Sequence, residues 1–244
     1  MLVHDVLHTK GLPIVQSDDS FRYSLDSLLL AYFTPLTPRV KTIVDLCSGN
    51  APIPLYMSLR TTATIDAVDH HERSFHNATT SIAMNHKEHQ ITPYLLDVKV
   101  CYLTLGHDKY DLVTCNPPYF STVKPTVVSA STMQASARHE TTLTLDDVLV
   151  AAKRLLKNKG TLSLIHRVER LDDLFTECAK HRLVVKTLRF VHSFQDQPAN
   201  VVLVTIKKGA QRGGLQILSP VITYDNPNEY SSQIQAIYAA QFMV

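Results

Sequence analysis

The chain contains no apolar run long enough to cross a membrane as a helix. Its longest early run of apolar residues is Leu28 to Phe33, whereas a membrane-spanning helix needs about 20 such residues. The first twenty residues contain histidine, aspartate and lysine but no apolar core, which excludes the pattern of a secretory signal peptide. We therefore expect a cytoplasmic protein with no membrane association.

Cysteine is also scarce, and no two cysteines are close in sequence. The four residues are Cys47, Cys101, Cys115 and Cys178, and they lie mainly in apolar runs. This arrangement predicts reduced thiols in the core and disfavours both disulfides and a zinc site. Twelve histidines are present, but acidic and sulfur ligands do not accompany them. We therefore predict solvated histidines and no bound metal.

Apolar runs with strand character alternate with amphipathic segments along the 244 residues. The predicted strands are 42–47, 64–69, 91–97, 110–115, 161–166, 184–192 and 200–207. The predicted helices are 25–34, 52–60, 71–85, 145–157 and 170–181, and residues 121–138 are predicted to form a long loop. Such alternation indicates an α/β fold, a parallel sheet with helices on both faces, and the length suits one domain.

The segment Asn116-Pro117-Pro118-Tyr119 follows a predicted buried strand. Two consecutive prolines lack backbone N–H groups and have fixed φ angles, so the strand must end in a rigid extended turn. The Asn116 side chain and the Pro117 carbonyl would then be acceptors for a planar amine such as that of adenine, and the Tyr119 ring would stack on the base. The alternative is a Pro-Pro turn with Asn116 capping a loop.

Glycine is depleted at a second strand end, in the run Thr42 to Pro52. There, small residues follow a strand and precede a helix, so backbone amides at the helix N-terminus would face a ligand of the nucleotide class. Compared with the common pattern Asp-x-Gly-x-Gly-x-Gly, Cys47 and Ala51 replace the outer glycines and only Gly49 remains. The small side chains at these positions still allow a ligand to approach closely.

Two further predicted strands end in carboxylates. Asp69 lies where it could accept both ribose hydroxyls of a nucleoside, and Asp97 could accept a hydrogen bond from an adenine amine. Asp45, Asp69 and Asp97 thus give three strands that each end in a carboxylate. Together with the Asn-Pro-Pro-Tyr strand that follows, such a set rarely arises by chance.

This order of motifs resembles the class I S-adenosylmethionine-dependent methyltransferases that methylate amino groups. Within that class, further segments are similar to the bacterial valine-tRNA (adenine-37-N6)-methyltransferase family. They are Phe21 to Leu30 with Asp26, Ala137-Arg138-His139-Glu140 with Thr144 to Asp147, His166 to Leu171, Pro198 to Val204, Gly213-Gly214-Leu215 and Glu229-Tyr230. The resemblance covers nearly the whole chain.

The resemblance implies a Rossmann-like fold with seven strands in the order 3-2-1-4-5-7-6, the last antiparallel. It implies one methyltransferase domain over 1–244 with an N-terminal extension of about 1–40, and N6-methylation of adenine 37 in tRNA. The implied catalytic residues are Asn116, Pro117, Pro118 and Tyr119. The residues implied to bind S-adenosyl-L-methionine are Asp45, Cys47, Ser48, Gly49, Asn50, Asp69, His70, Asp97, Val98 and Asn116.

Charge is distributed unevenly along the chain. Residues 150–214 contain thirteen Lys and Arg against five Asp and Glu, a net charge of +8, whereas residues 1–149 carry −4. The basic segment could form a phosphate-binding face for tRNA, or its charges could be solvated helix faces and loop ends. The candidate RNA-binding residues are Arg138, His139, Lys153, Arg154, Arg167 and Arg170. A structural ion pair or cap involving Arg138 and Glu140 remains an alternative.

Two other functions remain open. A protein-glutamine N5-methyltransferase presents a similar planar amide to the same tetrapeptide, and a non-catalytic RNA-binding protein on a methyltransferase fold would explain the lost glycines at Cys47 and Ala51. We expect a monomer or a weak homodimer.

Overall fold

An eight-stranded sheet forms the centre of the protein in a computed structural model that describes residues 2–5, 11–16, 24–117 and 143–240. The strands are β1 (Leu2–Asp5), β2 (Pro13–Gln16), β3 (Thr42–Leu46), β4 (Thr64–Asp69), β5 (Ile91–Leu95), β6 (Tyr110–Cys115), β7 (Leu156–Arg167), β8 (Leu183–His192), β9 (Ala199–Lys208), β10 (Gln216–Ile222), β11 (Tyr224–Asn226) and β12 (Glu229–Tyr230). The helices are α1 (Leu25–Phe33), α2 (Pro52–Met57), α3 (Glu72–Met84), α4 (Cys101–Leu105), α5 (Leu145–Leu155), α6 (Leu171–Lys180) and α7 (Ser232–Tyr238), and a 3-10 helix covers Val168–Arg170.

The strand order in the sheet is β10-β8-β9-β7-β6-β3-β4-β5. β9 runs antiparallel to both of its neighbours, and the other adjacent pairs are parallel. The order predicted for a class I methyltransferase is therefore present from β5 to β8, with the antiparallel strand in its expected place. We call the side of the sheet where the parallel strands end the carboxyl edge, and the opposite side, where they begin, the amino edge. Both names refer to rows of strand ends and not to the outermost strands of the sheet.

The predicted number of seven strands is wrong, because β10 adds an eighth strand beside β8. Residues 216–220 of β10 are exposed, Pro220 lies inside the strand, and only Val221 is fully buried. An edge strand of this kind is held mainly by backbone pairing to β8, so it shows neither the apolar run nor the alternation from which strands are predicted.

Alternating side chains of the strands supply two hydrophobic clusters, one on each face of the sheet. Ile43 and Leu112 face the cluster that includes residues of α1, α2, α3 and α7. Val44 and Val113 face the cluster that includes residues of α4, α5 and α6. This two-sided burial explains why β3 and β6 contain adjacent apolar residues instead of a strict alternation of apolar and polar ones.

The start of α5 follows from local chemistry. Thr144 begins α5 with a capping box, since its hydroxyl accepts from the Asp147 N–H and the Asp147 carboxylate accepts from the Thr144 N–H.

Among the described residues, no helix combines the length and apolar character needed to cross a membrane. The four cysteines are reduced as predicted, three buried and Cys47 half-buried.

Candidate active site

Three candidate residues lie side by side at the carboxyl edge of the sheet. Leu46 of β3 is in register with Val68 of β4 and with Cys115 of β6. The residues that follow, Cys47, Asp69 and Asn116, therefore occupy neighbouring positions where three parallel strands end. Ligands of open α/β sheets bind in this position, beyond the carboxyl ends of the strands.

The loop after β3 keeps the backbone conformation of the glycine-rich pattern although two glycines are missing. The φ angles of Cys47, Gly49 and Ala51 are +57°, +55° and +67°. Only glycine adopts this left-handed region without steric cost, so Cys47 and Ala51 are strained. The loop turns tightly into α2, with the Ala51 N–H donating to the Ser48 carbonyl at 2.9 Å. The replaced glycines therefore do not prevent the tight turn into α2.

The Asp69 carboxylate fixes this loop to the end of β4. Its Oδ2 accepts from the Gly49 N–H at 2.8 Å, and its Oδ1 accepts from the His71 N–H at 2.9 Å. Each carboxylate oxygen has a further lone pair, so both can still accept from a ligand hydroxyl. The neighbouring His70 is exposed, and its ring centroid lies 3.8 Å from that of His71.

Asp45 is a fully buried carboxyl group beneath the loop. Its Oδ1 accepts from the Thr114 hydroxyl at 2.6 Å, across the paired strands β3 and β6. Burial raises the pKa of Asp45 to about 7, and the Thr114 hydrogen bond only partly offsets this effect. A cationic ligand group placed beside Asp45 would stabilise its charged form.

Several buried polar atoms in this loop have no hydrogen-bond partner among the described residues. They are Asp45 Oδ2, Ser48 Oγ and Asn50 Nδ2. Ser48 lies close enough to Asp45 to lower the pKa of its carboxyl group, so Asn50 Nδ2 is the atom that most clearly lacks a partner. Buried polar groups are normally paired, and these atoms therefore indicate a place where a polar ligand binds. Asn50 Nδ2 could donate to an acceptor on that ligand, and Asp45 Oδ2 could accept from a cationic donor.

Asp97 and Val98 lie beyond β5, at the same edge of the sheet. Leu95 is in register with Asp69, and the Asp97 Oδ1 accepts from the Lys99 N–H at 2.8 Å. Asp97 is exposed, whereas Val98 is buried in the cluster that contains Val44. Asp97 can therefore offer its carboxylate to a ligand above the sheet while Val98 holds the turn in place.

Asn116 and Pro117 form the described part of the tetrapeptide. Asn116 is half-buried directly after β6, and Pro117 is buried. Pro118 and Tyr119 lie outside the described residues, as do Arg138, His139 and Glu140.

Ser27 is a site residue that sequence reasoning missed. The Asn116 Nδ2 donates to the Ser27 Oγ at 3.3 Å, and Ser27 is 3% exposed. The two residues are 89 positions apart, and a serine in the first turn of a helix carries no signal of such a contact. Only the packing of α1 against the sheet brings them together.

The four candidate RNA-binding residues that the structure describes lie at two opposite edges of the sheet. Arg167 ends β7, which is parallel to β6, and Arg170 ends the following 3-10 helix, so both lie at the carboxyl edge with Asn116. Lys153 and Arg154 lie at the amino edge, where the Asp108 N–H donates to the Arg154 carbonyl. The six residues of β6 separate the edges by about 20 Å.

Much of the basic segment contacts the protein's own backbone and carboxylates. Lys186 donates to the carbonyls of Gln211 and Gly213, and Arg189 donates to the Ser219 carbonyl. Other residues of the segment pair with carboxylates: Lys157 with Asp111, Arg170 with Asp173, Lys180 with Asp146 and Lys208 with Asp108. The net charge of the segment therefore overstates the charge available to a polyanion.

One group of potential metal ligands lies between α5 and α6. Ligand atoms of Asp146, Glu177 and His181 are within 4.8 Å of one another. The Lys180 ammonium lies between the two carboxylates, 2.6 Å from Asp146 Oδ1 and 3.1 Å from Glu177 Oε2. Hydrogen bonds from Lys180 and His181 lower the pKa of Asp146 to about 2. We interpret this group as an ion-pair network between α5 and α6.

Comparison with known proteins relates the chain to methyltransferases. Two curated relatives named tRNA1(Val) (adenine(37)-N6)-methyltransferase are 27% identical to it. The protein of Parabacteroides distasonis matches over 187 residues, 77% of each chain, and that of Dickeya chrysanthemi over 223 residues, 89% of this chain and 86% of the relative.

Solved structures agree on the fold. A predicted O-methyltransferase from Agrobacterium tumefaciens superposes with a TM-score of 0.69 at 18% identity, covering 90% of this chain and 98% of the other. TYW2 of Pyrococcus horikoshii, in complex with MeSAdo, gives a TM-score of 0.58 at 12% identity, with coverages of 85% and 71%.

The family model described as Methyltransferase small domain matches residues 24–190. This range begins just before α1 and includes β3 to β7, with the loop after β3, Asp69, Asp97 and Asn116. The chain belongs to the Methyltransferase small domain family.

Proposed function

We propose that this methyltransferase transfers a methyl group from S-adenosyl-L-methionine to N6 of an adenine in tRNA, at position 37 beside the anticodon. The observation that carries the proposal is the position of Asn116 and Pro117 at the end of β6, level with the Asp69 carboxylate and the loop after β3. The names and coverage of the curated relatives support tRNA adenine as the substrate. We place the activity in the cytoplasm, where tRNA is modified, and in a single domain that acts as a monomer or weak homodimer.

The residues of the loop fit S-adenosyl-L-methionine. Asp45 Oδ2 would accept from the ammonium of its methionine part, while Ser48 Oγ and Asn50 Nδ2 would donate to its carboxylate. The Asp69 carboxylate would accept from its ribose hydroxyls. Asp97 suits the adenine amine, above the buried Val98. The cofactor supplies a methyl group on a positively charged sulfur, which is electrophilic without help from a metal.

The chain's own residues would act on the amine that receives the methyl group. The Asn116 Oδ1 and the Pro117 carbonyl accept its two hydrogens, and this withdraws the nitrogen lone pair from the ring system. The bond from N6 to the methyl carbon forms as the bond from carbon to sulfur breaks. The resulting ammonium loses a proton to water, so the chain needs no general base. Tyr119 would stack on the adenine once the base is turned out of the RNA.

Gly49→Ala should separate cofactor binding from loop stability. A Cβ on Gly49 would meet no described atom within 4 Å, but φ is +55°, so we expect a loss of about 1 kcal/mol in the free energy of unfolding. The same Cβ would project into the cofactor position, so the dissociation constant for S-adenosyl-L-methionine should rise at least tenfold.

Gly11→Ala is the matched control for this substitution. Gly11 has φ +54° and equally open surroundings, but it lies in the connection between β1 and β2. Its substitution should cost similar stability in chemical denaturation and leave cofactor affinity, measured by calorimetry, unchanged. Equal cofactor affinity in both variants would remove the loop from the binding site.

The tRNA proposal is tested by charge reversal at the two edges of the sheet. Arg167→Glu with Arg170→Glu should raise KM for tRNA and reduce its salt dependence, because phosphate contacts release counterions. Lys153→Glu with Arg154→Glu, at the opposite edge, should change KM much less. Cofactor affinity should be unchanged in both double variants.

The same assay should compare folded tRNA with a short anticodon oligonucleotide that carries the same adenine. We expect tRNA to be the better substrate, since several phosphates contribute to its affinity. Equal use of both substrates with no dependence on salt would argue against a tRNA-binding face.

A further inference from the structure

The hydrogen bond between Ser27 and Asn116 holds the Asn116 amide with its nitrogen toward α1. Nδ2 donates to the Ser27 Oγ at 3.3 Å. The amide oxygen is on the other side of the same planar group, so Oδ1 points away from Ser27. Asn116 is half-buried at the carboxyl edge, where the proposed substrate amine would meet it.

Ser27 is itself held rigidly. It is 3% exposed in the first turn of α1, and the residues that follow it, Leu28, Leu29 and Leu30, are at most 1% exposed. At the other end of α1, the Arg60 guanidinium donates to the carbonyls of Ala31 and Tyr32. Because the helix is anchored along its length, the Ser27 hydroxyl is held in place beside Asn116. A hydroxyl can accept as well as donate, so it pairs with the amide nitrogen when a bound amine requires the amide oxygen on the other side.

The orientation of the amide matters for an amine substrate. The exocyclic amine presents N–H donors, so it needs the Asn116 oxygen and is repelled by the Asn116 NH₂ group. Rotation of the amide by half a turn would exchange the two ends and place a donor against a donor. We propose that Ser27 is a positioning residue that keeps Oδ1 turned toward the substrate amine, an inference that rests on the proposed role of Asn116.

Ser27→Ala removes the acceptor and leaves Asn116 in place. The fraction of protein with the productive amide orientation should fall, and the single-turnover rate with saturating cofactor and tRNA should drop about 3- to 30-fold, the range that one buried hydrogen bond controls. KM for tRNA and the dissociation constant of S-adenosyl-L-methionine should stay within twofold of the wild type. Ser27→Thr, which keeps the hydroxyl, should recover most of the lost rate.

Ser24→Ala is the matched control. Ser24 is the N-cap of the same helix and its side chain makes no cap hydrogen bond, so its loss should not change the single-turnover rate. The Ser27→Ala substitution should also have no further effect in an Asn116→Ala background, because there is no amide left to orient.

The side-chain amide of Asn116 gives a readout that does not depend on activity. In ¹⁵N-edited spectra, its NH₂ resonances, assigned by their absence in Asn116→Ala, should exchange with solvent faster in Ser27→Ala than in wild type. A normal single-turnover rate in Ser27→Ala, together with a strongly impaired Asn116→Ala, would overturn the positioning role alone. A normal rate in Asn116→Ala would overturn the proposed role of Asn116, and unchanged NH₂ exchange in Ser27→Ala would overturn the hydrogen bond itself.

Discussion

Asn116→Ala should lower the single-turnover rate of methyl transfer by about a hundredfold or more, the effect of losing one preorganised polar group that acts on the transition state. The amine gains positive charge as the methyl group moves to it, so the acceptor at Asn116 Oδ1 contributes more to the transition state than to the bound substrate. The rate should therefore fall while cofactor affinity, measured by calorimetry, changes little.

Asn116→Asp is the informative companion, because a carboxylate keeps an acceptor at the same position. It should retain more activity than the alanine variant, provided that the Ser27 hydroxyl donates to one of its oxygens. Near-normal methyl transfer by Asn116→Ala would contradict polarisation of the amine by this side chain.

Asp45→Asn should change protein stability and cofactor binding in opposite directions. Burial raises the pKa of Asp45 to about 7, whereas an unfolded aspartate titrates at about 3.9. The folded protein therefore holds a proton that the unfolded chain releases, so the contribution of Asp45 to stability is complete below about pH 4 and falls as pH rises to 7.

The size of this effect follows from the shift in pKa. Three units correspond to about 4 kcal/mol as an upper value, so the ligand-free Asn variant should be more stable than wild type by about 2 to 4 kcal/mol at pH 8 and nearly equal at pH 4. Wild-type affinity for S-adenosyl-L-methionine should rise between pH 5.5 and 7.5 as Asp45 ionises. The variant should bind at least tenfold more weakly at pH 7.5 and lack the Asp45-dependent rise.

Asp97→Asn is the control for the loss of one carboxylate at the same edge of the sheet, because Asp97 is exposed. It should not reproduce the gain in stability that Asp45→Asn shows at pH 8. If the stability of Asp45→Asn relative to wild type did not change between pH 4 and 8, Asp45 would not be the buried proton-binding group, and its pairing with the cofactor ammonium would lose its basis.

The centre of the fold could be predicted because apolar runs and strand ends are encoded locally. The bounds of β4 and β6 agree with the prediction, and the strand order follows from the resemblance. α4, α7, β10 and the two small hairpins were missed. These elements are short or largely exposed, so their hydrophobic pattern is weak and tertiary pairing decides their structure.

The candidate site could be predicted only in part. Strand ends identified Asp45, Asp69 and Asn116, since parallel strands bring their carboxyl ends together. The sequence could not show that Cys47 and Ala51 keep the φ angles of glycine, because backbone strain at a site is compensated by the surrounding packing.

Charge along the chain was a weaker guide than strand position. The basic segment divides between two edges of the sheet because α5 runs back from the carboxyl edge and ends at the amino edge, so Lys153 and Arg154 lie far from Arg167. Ion pairs and backbone contacts then neutralise several of the remaining charges, and neither effect is visible without the fold.

The proposed reaction of this chain is methylation of an adenine of tRNA on N6. The most direct test incubates the purified protein with unmodified tRNA and S-adenosyl-L-methionine carrying a labelled methyl group, followed by nucleoside mass spectrometry. We predict labelled N6-methyladenosine at position 37, none when adenine 37 is replaced by guanine, and a greatly reduced amount with Asn116→Ala. No label transferred to any tRNA, or label found only on a base other than adenine, would contradict N6-methylation of tRNA adenine by this chain.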